Sequence, residues 1–199
     1  MRLIALCGAA GAGKDTVAGM LPACRLAFAD ALYAEVAEAW DVSEDDLKRR
    51  DTKERASYLM AIDFCKDAGF RDFKAGEDWH AARSPRQILQ WWGDYRRAQD
   101  PEYFVQRARE VLQGEGAGLF WVITDCRFPN EAAMVRELGG QIWQVKRPGV
   151  SAGATGHVSD TDGSQFNPDR VIANYGSLKT LRLALRDVMR EQAFAGDAA

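Results

Sequence analysis

A glycine-rich segment holds the residues whose chemistry is easiest to interpret. It spans residues 8–16, reads GAAGAGKDT and directly follows the apolar run 3–7, which is the spacing G-x-x-x-x-G-K between a strand and a helix. Glycine and alanine leave backbone N–H groups open to phosphate oxygens, while Lys14 and the start of its helix add positive charge. The segment predicts binding of a nucleoside triphosphate, and the alternative is a tight turn that merely carries a lysine. The residues predicted to hold the triphosphate are Gly8, Gly11, Ala12, Gly13, Lys14, Asp15 and Thr16.

Two aspartates are candidates for a magnesium site. Asp15 stands where such a loop usually has Ser or Thr. A carboxylate there can ligate a hard cation directly or through water, and the alternative is that it only complements the helix dipole. Asp125 follows the apolar run 119–124, and an acid at that point is suited to Mg²⁺ or its waters. The alternative for Asp125 is a helix N-cap, for which Asn130 is the better candidate. Arg127 is predicted to reach the transferring phosphate.

A third candidate site lies on the helix that the sequence predicts from Pro85. At about 100° per residue, four residues fall on one stripe about 60° wide, opposite the aromatic side chains: Arg86, Gln90, Gly93 and Arg97. Two guanidinium groups suit a phosphate and an amide suits a base edge, as a nucleoside monophosphate requires. Glycine weakens a helix by about 1 kcal/mol relative to alanine, so a close approach at Gly93 would explain it. The alternative is a solvated helix face.

The elements that must position these residues form an α/β pattern. Five short apolar runs separated by helical patterns predict a parallel sheet with helices on both faces. The predicted strands are 2–7, 25–28, 119–124, 141–146 and 170–173. We expect one domain over residues 1–199, because its length and composition suit a single core.

Two segments of this domain stand apart from the sheet pattern. A helical insertion is predicted over about 31–115, with helices at 31–40, 53–67, 85–98 and 101–113. The stretch 148–168 is rich in Gly, Ser and Asp, lacks apolar periodicity and predicts a lid. Beside it, Lys146 and Arg147 are either phosphate clamps or surface charges.

Composition argues against several classes of protein. With 47% hydrophobic and 28% charged residues, the chain has the make-up of an ordinary soluble domain. No apolar stretch approaches the roughly 18 residues of a membrane span and no secretory leader is evident, so we expect a cytoplasmic protein with no membrane partner. A net charge of −3 disfavours a nucleic-acid partner. The four cysteines lie far apart and predict no zinc site. The oligomeric state stays open, a homodimer included.

Six motifs occur in order along the chain: GAAGAGKDT at 8–16, FADAL at 28–32, SPRQILQWWGDYRR at 84–97, VITDCRFPNE at 122–131, HVSD at 157–160 and IANYGSL at 172–178. Together they resemble the bacteriophage deoxynucleoside-monophosphate kinases over nearly the whole chain. The resemblance implies a P-loop NTPase fold and ATP- and Mg²⁺-dependent phosphorylation of deoxynucleoside monophosphates to diphosphates, a step of DNA precursor supply. Ala31, Tyr33 and Asp94 depart from the family, which often has Pro, Lys and Thr at these positions.

Under this hypothesis the residues take distinct roles. The catalytic residues are Lys14, Asp125 and Arg127, the metal ligands are Asp15 and Asp125, and the substrate-binding residues are Asp30, Arg86, Gln90, Trp92, Arg97 and Arg127. The nearest rival function is a P-loop kinase for another small acceptor, such as dephospho-coenzyme A or a phosphomevalonate-like compound. Further rivals are a nucleic-acid-linked P-loop ATPase, which DNA would stimulate, and a nucleotide-sensing module, which would bind ATP without turnover.

Overall fold

The short apolar runs of the sequence form one five-stranded, all-parallel sheet. The computed structural model describes residues 2–49, 51–114, 118–150 and 163–196, with side chains to residue 190. The strands are β1 (Arg2–Cys7), β2 (Cys24–Leu26), β3 (Phe120–Ile123), β4 (Gln141–Lys146) and β5 (Arg170–Ala173). Their order across the sheet is β2-β3-β1-β4-β5. The prediction of an α/β protein with a five-stranded parallel sheet is therefore confirmed.

Helices separate most of these strands. They are α1 (Lys14–Met20), α2 (Ala29–Trp40), α3 (Glu44–Lys48), α4 (Ala68–Phe73), α5 (Pro85–Gln99), α6 (Tyr103–Gln113), α7 (Pro129–Glu137) and α8 (Leu178–Gly196). Ser84 caps α5, because its side chain accepts the Gln87 N–H at 3.2 Å. The predicted helix over 53–67 is wrong. That stretch holds the 3₁₀ turns Tyr58–Met60 and Ile62–Phe64, and its apolar residues do not share one buried face.

The chain divides into two compact units. The sheet unit comprises Met1–Phe28 and Ala108–Ala199, and the helical unit comprises Ala29–Arg107, which overlaps the insertion predicted over about 31–115. The core of the sheet unit packs apolar residues of the strands against α1 and α8, among them Ile4, Val17 and Leu181. No helix in the described part of the chain is both long and apolar enough to cross a membrane.

An aromatic cluster fills the core of the helical unit. Trp40, Phe70, Trp92 and Tyr95 lie with neighbouring ring centroids 5.1 to 5.8 Å apart, mostly edge to face, the arrangement that aromatic quadrupoles favour. Two of these rings belong to α5. The cluster therefore fixes the helix that carries the predicted acceptor stripe.

Candidate functional site

The turn between β1 and α1 depends on glycine at specific positions. Gly8, Gly11 and Gly13 have φ values of 139°, 80° and 102°, which are strained for other residues. A Cβ at Gly8 would stand 2.5 Å from the backbone oxygen of Val145 on β4. The sequence thus folds this segment into a slim loop that ends where α1 begins.

Lys14 spans this loop. Its Nζ donates hydrogen bonds to the carbonyl oxygens of Gly8 at 2.8 Å and Ala9 at 3.0 Å. Burial lowers the pKa of Lys14, and the nearby guanidinium of Arg127 lowers this pKa further, whereas the carboxylates of Asp15 and Asp125 act in the opposite direction. Since such effects fall off with distance, the structure brings together the four charged residues predicted for the triphosphate and metal sites.

Asp125 has a defined place at the carboxyl end of β3. Its Oδ1 accepts the backbone N–H of Phe28 at 2.8 Å, so this carboxylate also ties the chain after β2 to β3. The N-cap residue of α7 is Phe128. The prediction of Asn130 as the cap is therefore wrong, because Asn130 lies inside the first turn and accepts the N–H of Glu131 at 3.1 Å.

The two aspartates fit the modest protein contribution that Mg²⁺ needs. This ion usually takes one or two carboxylates and keeps its remaining positions for water and phosphate oxygens. Both Asp15 and Asp125 are close enough to Lys14 to affect its pKa. The described residues contain no group of three acidic, histidine or cysteine side chains able to hold a metal alone. Any Mg²⁺ ion here would take the rest of its coordination from phosphate oxygens and water.

The backbone before α7 is held by a carboxylate that the sequence analysis missed. Glu131 is only 3% exposed, and its Oε2 accepts the N–H groups of Arg127 at 2.7 Å and Phe128 at 3.0 Å. Glu131 thus makes the carboxylate half of a capping box, but Phe128 has no side-chain acceptor to complete it. The only signal in the sequence was a glutamate two residues after the proline that begins the helix. The Arg127 guanidinium itself makes no hydrogen bond or ion pair with another described residue. Its charge is therefore available to a ligand.

A second missed residue braces the glycine loop. Asn174 directly follows β5, and its Nδ2 donates to the carbonyl oxygen of Ala12 at 2.9 Å. A polar residue at the carboxyl end of a parallel strand is the general signal that was available. An adjacent cleft of about 350 Å³ is lined by residues that include Ala9, Ala12 and Tyr175, together with Lys146 and Arg147. Lys146 and Arg147, which the sequence left as phosphate clamps or surface charges, therefore lie on the wall of this cleft.

The predicted lid is only partly described. Residues 151–162, which include the HVSD motif, lie outside the described residues, so the lid remains a prediction. The following residues are anchored in the sheet unit. The carbonyl of Gly163 lies 3.8 Å from the Cys7 Sγ, and Arg136 donates to the carbonyls of Phe166 at 3.1 Å and Asn167 at 2.9 Å.

The predicted acceptor residues belong to the helical unit. Arg86 on α5 pairs with Glu54, and Gln90 is partly exposed. Asp30 is exposed in the first turn of α2. Trp92 is 2% exposed and belongs to the aromatic cluster, so its contribution is to fix α5, and we do not propose that it contacts substrate.

Gly93 makes room for Arg97. A Cβ at Gly93 would stand 2.7 Å from the Arg97 Nη1, and the Arg97 guanidinium lies 4.8 Å from the centroid of the Phe104 ring. The sequence suggested a close approach at Gly93, and the approaching group is the guanidinium of a predicted site residue. This packing holds the partly exposed Arg97 side chain against Phe104.

The chain matches no protein-family model and no curated protein sequence. The functional assignment therefore depends on the residues and their geometry.

Proposed function

We propose that the protein is a magnesium-dependent kinase that transfers the γ-phosphate of ATP to a deoxynucleoside monophosphate. The observation that carries this proposal is the pair of cations at the glycine loop. The buried Lys14 ammonium is held across the loop by two carbonyls, and Arg127 is close enough to oppose its charge. Neither side chain forms an ion pair within the described residues. A bound polyphosphate would neutralise both.

The loop also offers backbone donors. The N–H groups of Gly11, Gly13 and Lys14 have no hydrogen-bond partner among the described residues, and glycine leaves them accessible. Such groups together with a lysine suit the β- and γ-phosphates of a nucleotide. This combination supports ATP as the phosphate donor.

The reaction needs little covalent help from the protein. An oxygen of the acceptor phosphate forms a bond to the γ-phosphorus, and the bond from that phosphorus to the bridging oxygen breaks to release ADP. Charge neutralisation and positioning supply most of the catalysis in such transfers. Lys14 and Arg127 would stabilise the charge on the transferring group. Asp15 and Asp125 would hold Mg²⁺, which when bound neutralises charge on the phosphate oxygens.

Two features support a deoxynucleoside monophosphate as the acceptor. They are the six motifs that occur in order along the chain and the arginines of α5. Arg97, supported by Gly93 and Phe104, has a guanidinium suited to a phosphate. Arg86 would exchange its ion pair with Glu54 for one with the acceptor, at modest cost because Glu54 is exposed. Gln90 would read a base edge. A monophosphate is favoured over a nucleoside because guanidinium groups pair well with an anionic phosphate and poorly with an uncharged hydroxyl.

The test is an ADP-release assay across a panel of acceptors. The panel contains all common deoxy- and ribonucleoside monophosphates, the corresponding nucleosides, dephospho-coenzyme A and phosphomevalonate, with a parallel reaction containing DNA. We expect at least one deoxynucleoside monophosphate to give the highest kcat/KM. Lys14→Met should lower this activity by at least about 10²-fold. Lys179→Met, which alters an exposed lysine on α8, should retain it. Highest activity with dephospho-coenzyme A or phosphomevalonate would contradict the proposal, and so would ADP release that only DNA stimulates.

A further inference from the structure

Asn174 connects two distant parts of the sheet unit. Its backbone N–H donates to the carbonyl of Lys146 at 2.8 Å, which continues the pairing of β4 and β5 beyond Ala173. The backbone of Asn174 is therefore fixed by the sheet. From this fixed position its side chain reaches the glycine loop, where Nδ2 donates to the Ala12 carbonyl at 2.9 Å.

This hydrogen bond determines the orientation of a peptide group in the loop. The chain contains no cis peptide bonds among its described residues, and in a trans peptide the C=O and the following N–H point in opposite directions. Because the Ala12 carbonyl points at Asn174, the Gly13 N–H points away from it. That N–H has no hydrogen-bond partner among the described residues.

Without the hydrogen bond from Asn174, the flexibility of Gly13 would allow this peptide group to change its orientation. Its φ of 102° is a conformation that glycine adopts readily, so the peptide before it meets little steric resistance to flipping. The position of the Asn174 side chain also requires glycine at position 13, since a Cβ at Gly13 would stand 2.5 Å from the Asn174 Nδ2. The amide thus occupies the space that a side chain at Gly13 would need.

We propose that Asn174 is a positioning residue of the nucleotide site, which holds the Ala12–Gly13 peptide so that the Gly13 N–H is presented to a phosphate of ATP. The inference rests on the proposed function, because it assigns the loop to a phosphate. It requires a donor at position 174, since a carbonyl must be held. A carboxylate of the same shape cannot donate and would place a negative charge beside the loop.

The experiment compares Asn174→Asp and Asn174→Ala with the parent chain. A matched control is Gln113→Glu, which makes the same amide-to-carboxylate change at an exposed residue of α6 whose side chain makes no hydrogen bond within the described residues. Calorimetry measures the Kd for ATP and for ADP, and steady-state kinetics measures KM for ATP and for the preferred monophosphate. Thermal melting checks that each variant is folded.

We expect Asn174→Asp to weaken ATP and ADP binding by about 10- to 100-fold, as loss of a hydrogen bond to a charged group predicts. KM for the monophosphate should change less than about 3-fold, and Gln113→Glu should bind ATP like the parent. A residue that only supports the fold would instead lower the melting temperature and leave the Kd for ATP unchanged in the folded variant.

Two results overturn the inference, and they are distinguishable. If the parent binds and turns over ATP while both Asn174 variants bind it equally well, the positioning role is wrong and the kinase proposal stands. If the parent fails to bind ATP at all, the proposed function fails and the positioning role fails with it. Asn174→Ala gives the same comparison if Asn174→Asp does not fold.

Discussion

The carboxylate of Glu35 on α2 is a shared hydrogen-bond acceptor in the helical unit, and its removal has a calculable effect. It accepts hydrogen bonds from the Trp92 Nε1 at 2.8 Å, the Arg96 Nε at 2.7 Å and the Tyr103 hydroxyl at 2.5 Å. The side chains of Glu35 and Arg96 are 17% and 22% exposed. This carboxylate therefore joins α2, α5 and the start of α6 in a largely dry environment.

Glu35→Gln keeps the shape and removes the charge. The amide oxygen can keep the bonds from Trp92 and Arg96, and the NH₂ group can donate to the Tyr103 hydroxyl oxygen, which is also an acceptor. The variant therefore loses the charge of the acceptor rather than a bond, and a hydrogen bond to a charged group contributes about 1.5–3 kcal/mol. Because water reaches part of this pair, we expect the free energy of unfolding to fall by about 1–3 kcal/mol.

Chemical denaturation followed by circular dichroism and tryptophan fluorescence measures this change. Glu38→Gln is the control, since the Glu38 side chain is exposed on the same helix and has no partner among the described residues. It should change the free energy of unfolding by less than about 0.5 kcal/mol. If Glu35→Gln also stays within that limit, the reasoning from these three hydrogen bonds is refuted.

Three further predictions follow from individual side chains. Burial lowers the pKa of Lys14, so the folded chain binds fewer protons than the unfolded chain between that lowered value and 10.5, and its stability should rise with pH there. Lys14→Met should lack this rise and should bind ATP more weakly; an equal rise in the variant, measured by chemical denaturation at several pH values, would contradict this. Gly93→Ala should displace Arg97 and raise KM for the monophosphate roughly 10-fold without destabilising α5, whereas an unchanged KM would remove Arg97 from the site. At pH 8, maleimide should label the exposed Cys24 and spare Cys65, because Cys65 is buried and its pKa is raised to about 11. Rapid labelling of Cys65, detected by mass spectrometry, would contradict this burial.

The strands were predictable because their signal is local. The bounds of β1, β4 and β5 agree with the predicted 2–7, 141–146 and 170–173, since these strands are short apolar runs between clear turn residues. The stretch 53–67 misled because Tyr58 and Leu59 are apolar yet 73% and 68% exposed. Its turns are held by local bonds such as that from the Leu59 N–H to the Ser57 hydroxyl, which periodicity does not reveal.

In the candidate site, too, the features set by local sequence were predictable and those set by long-range contacts were not. The loop around Lys14 was predictable because a strand, a turn and a helix follow one another within 20 residues. The contact between Asn174 and Ala12 joins residues 162 positions apart. It arises only because β4 lies between β1 and β5 in the sheet. Strand order depends on tertiary packing, so no local pattern could place this amide at the loop.

The central claim is the transfer of phosphate from ATP to a deoxynucleoside monophosphate, and the most direct test is to follow the phosphate itself. The parent chain and Lys14→Met are incubated with ATP labelled in the γ-phosphate, Mg²⁺ and the preferred monophosphate, and the nucleotides are separated by chromatography. The account predicts that label appears in the deoxynucleoside diphosphate in a one-to-one ratio with ADP, at a rate at least about 10²-fold lower in the Lys14→Met variant. Label recovered only as inorganic phosphate, or transferred equally well by the variant, would contradict it.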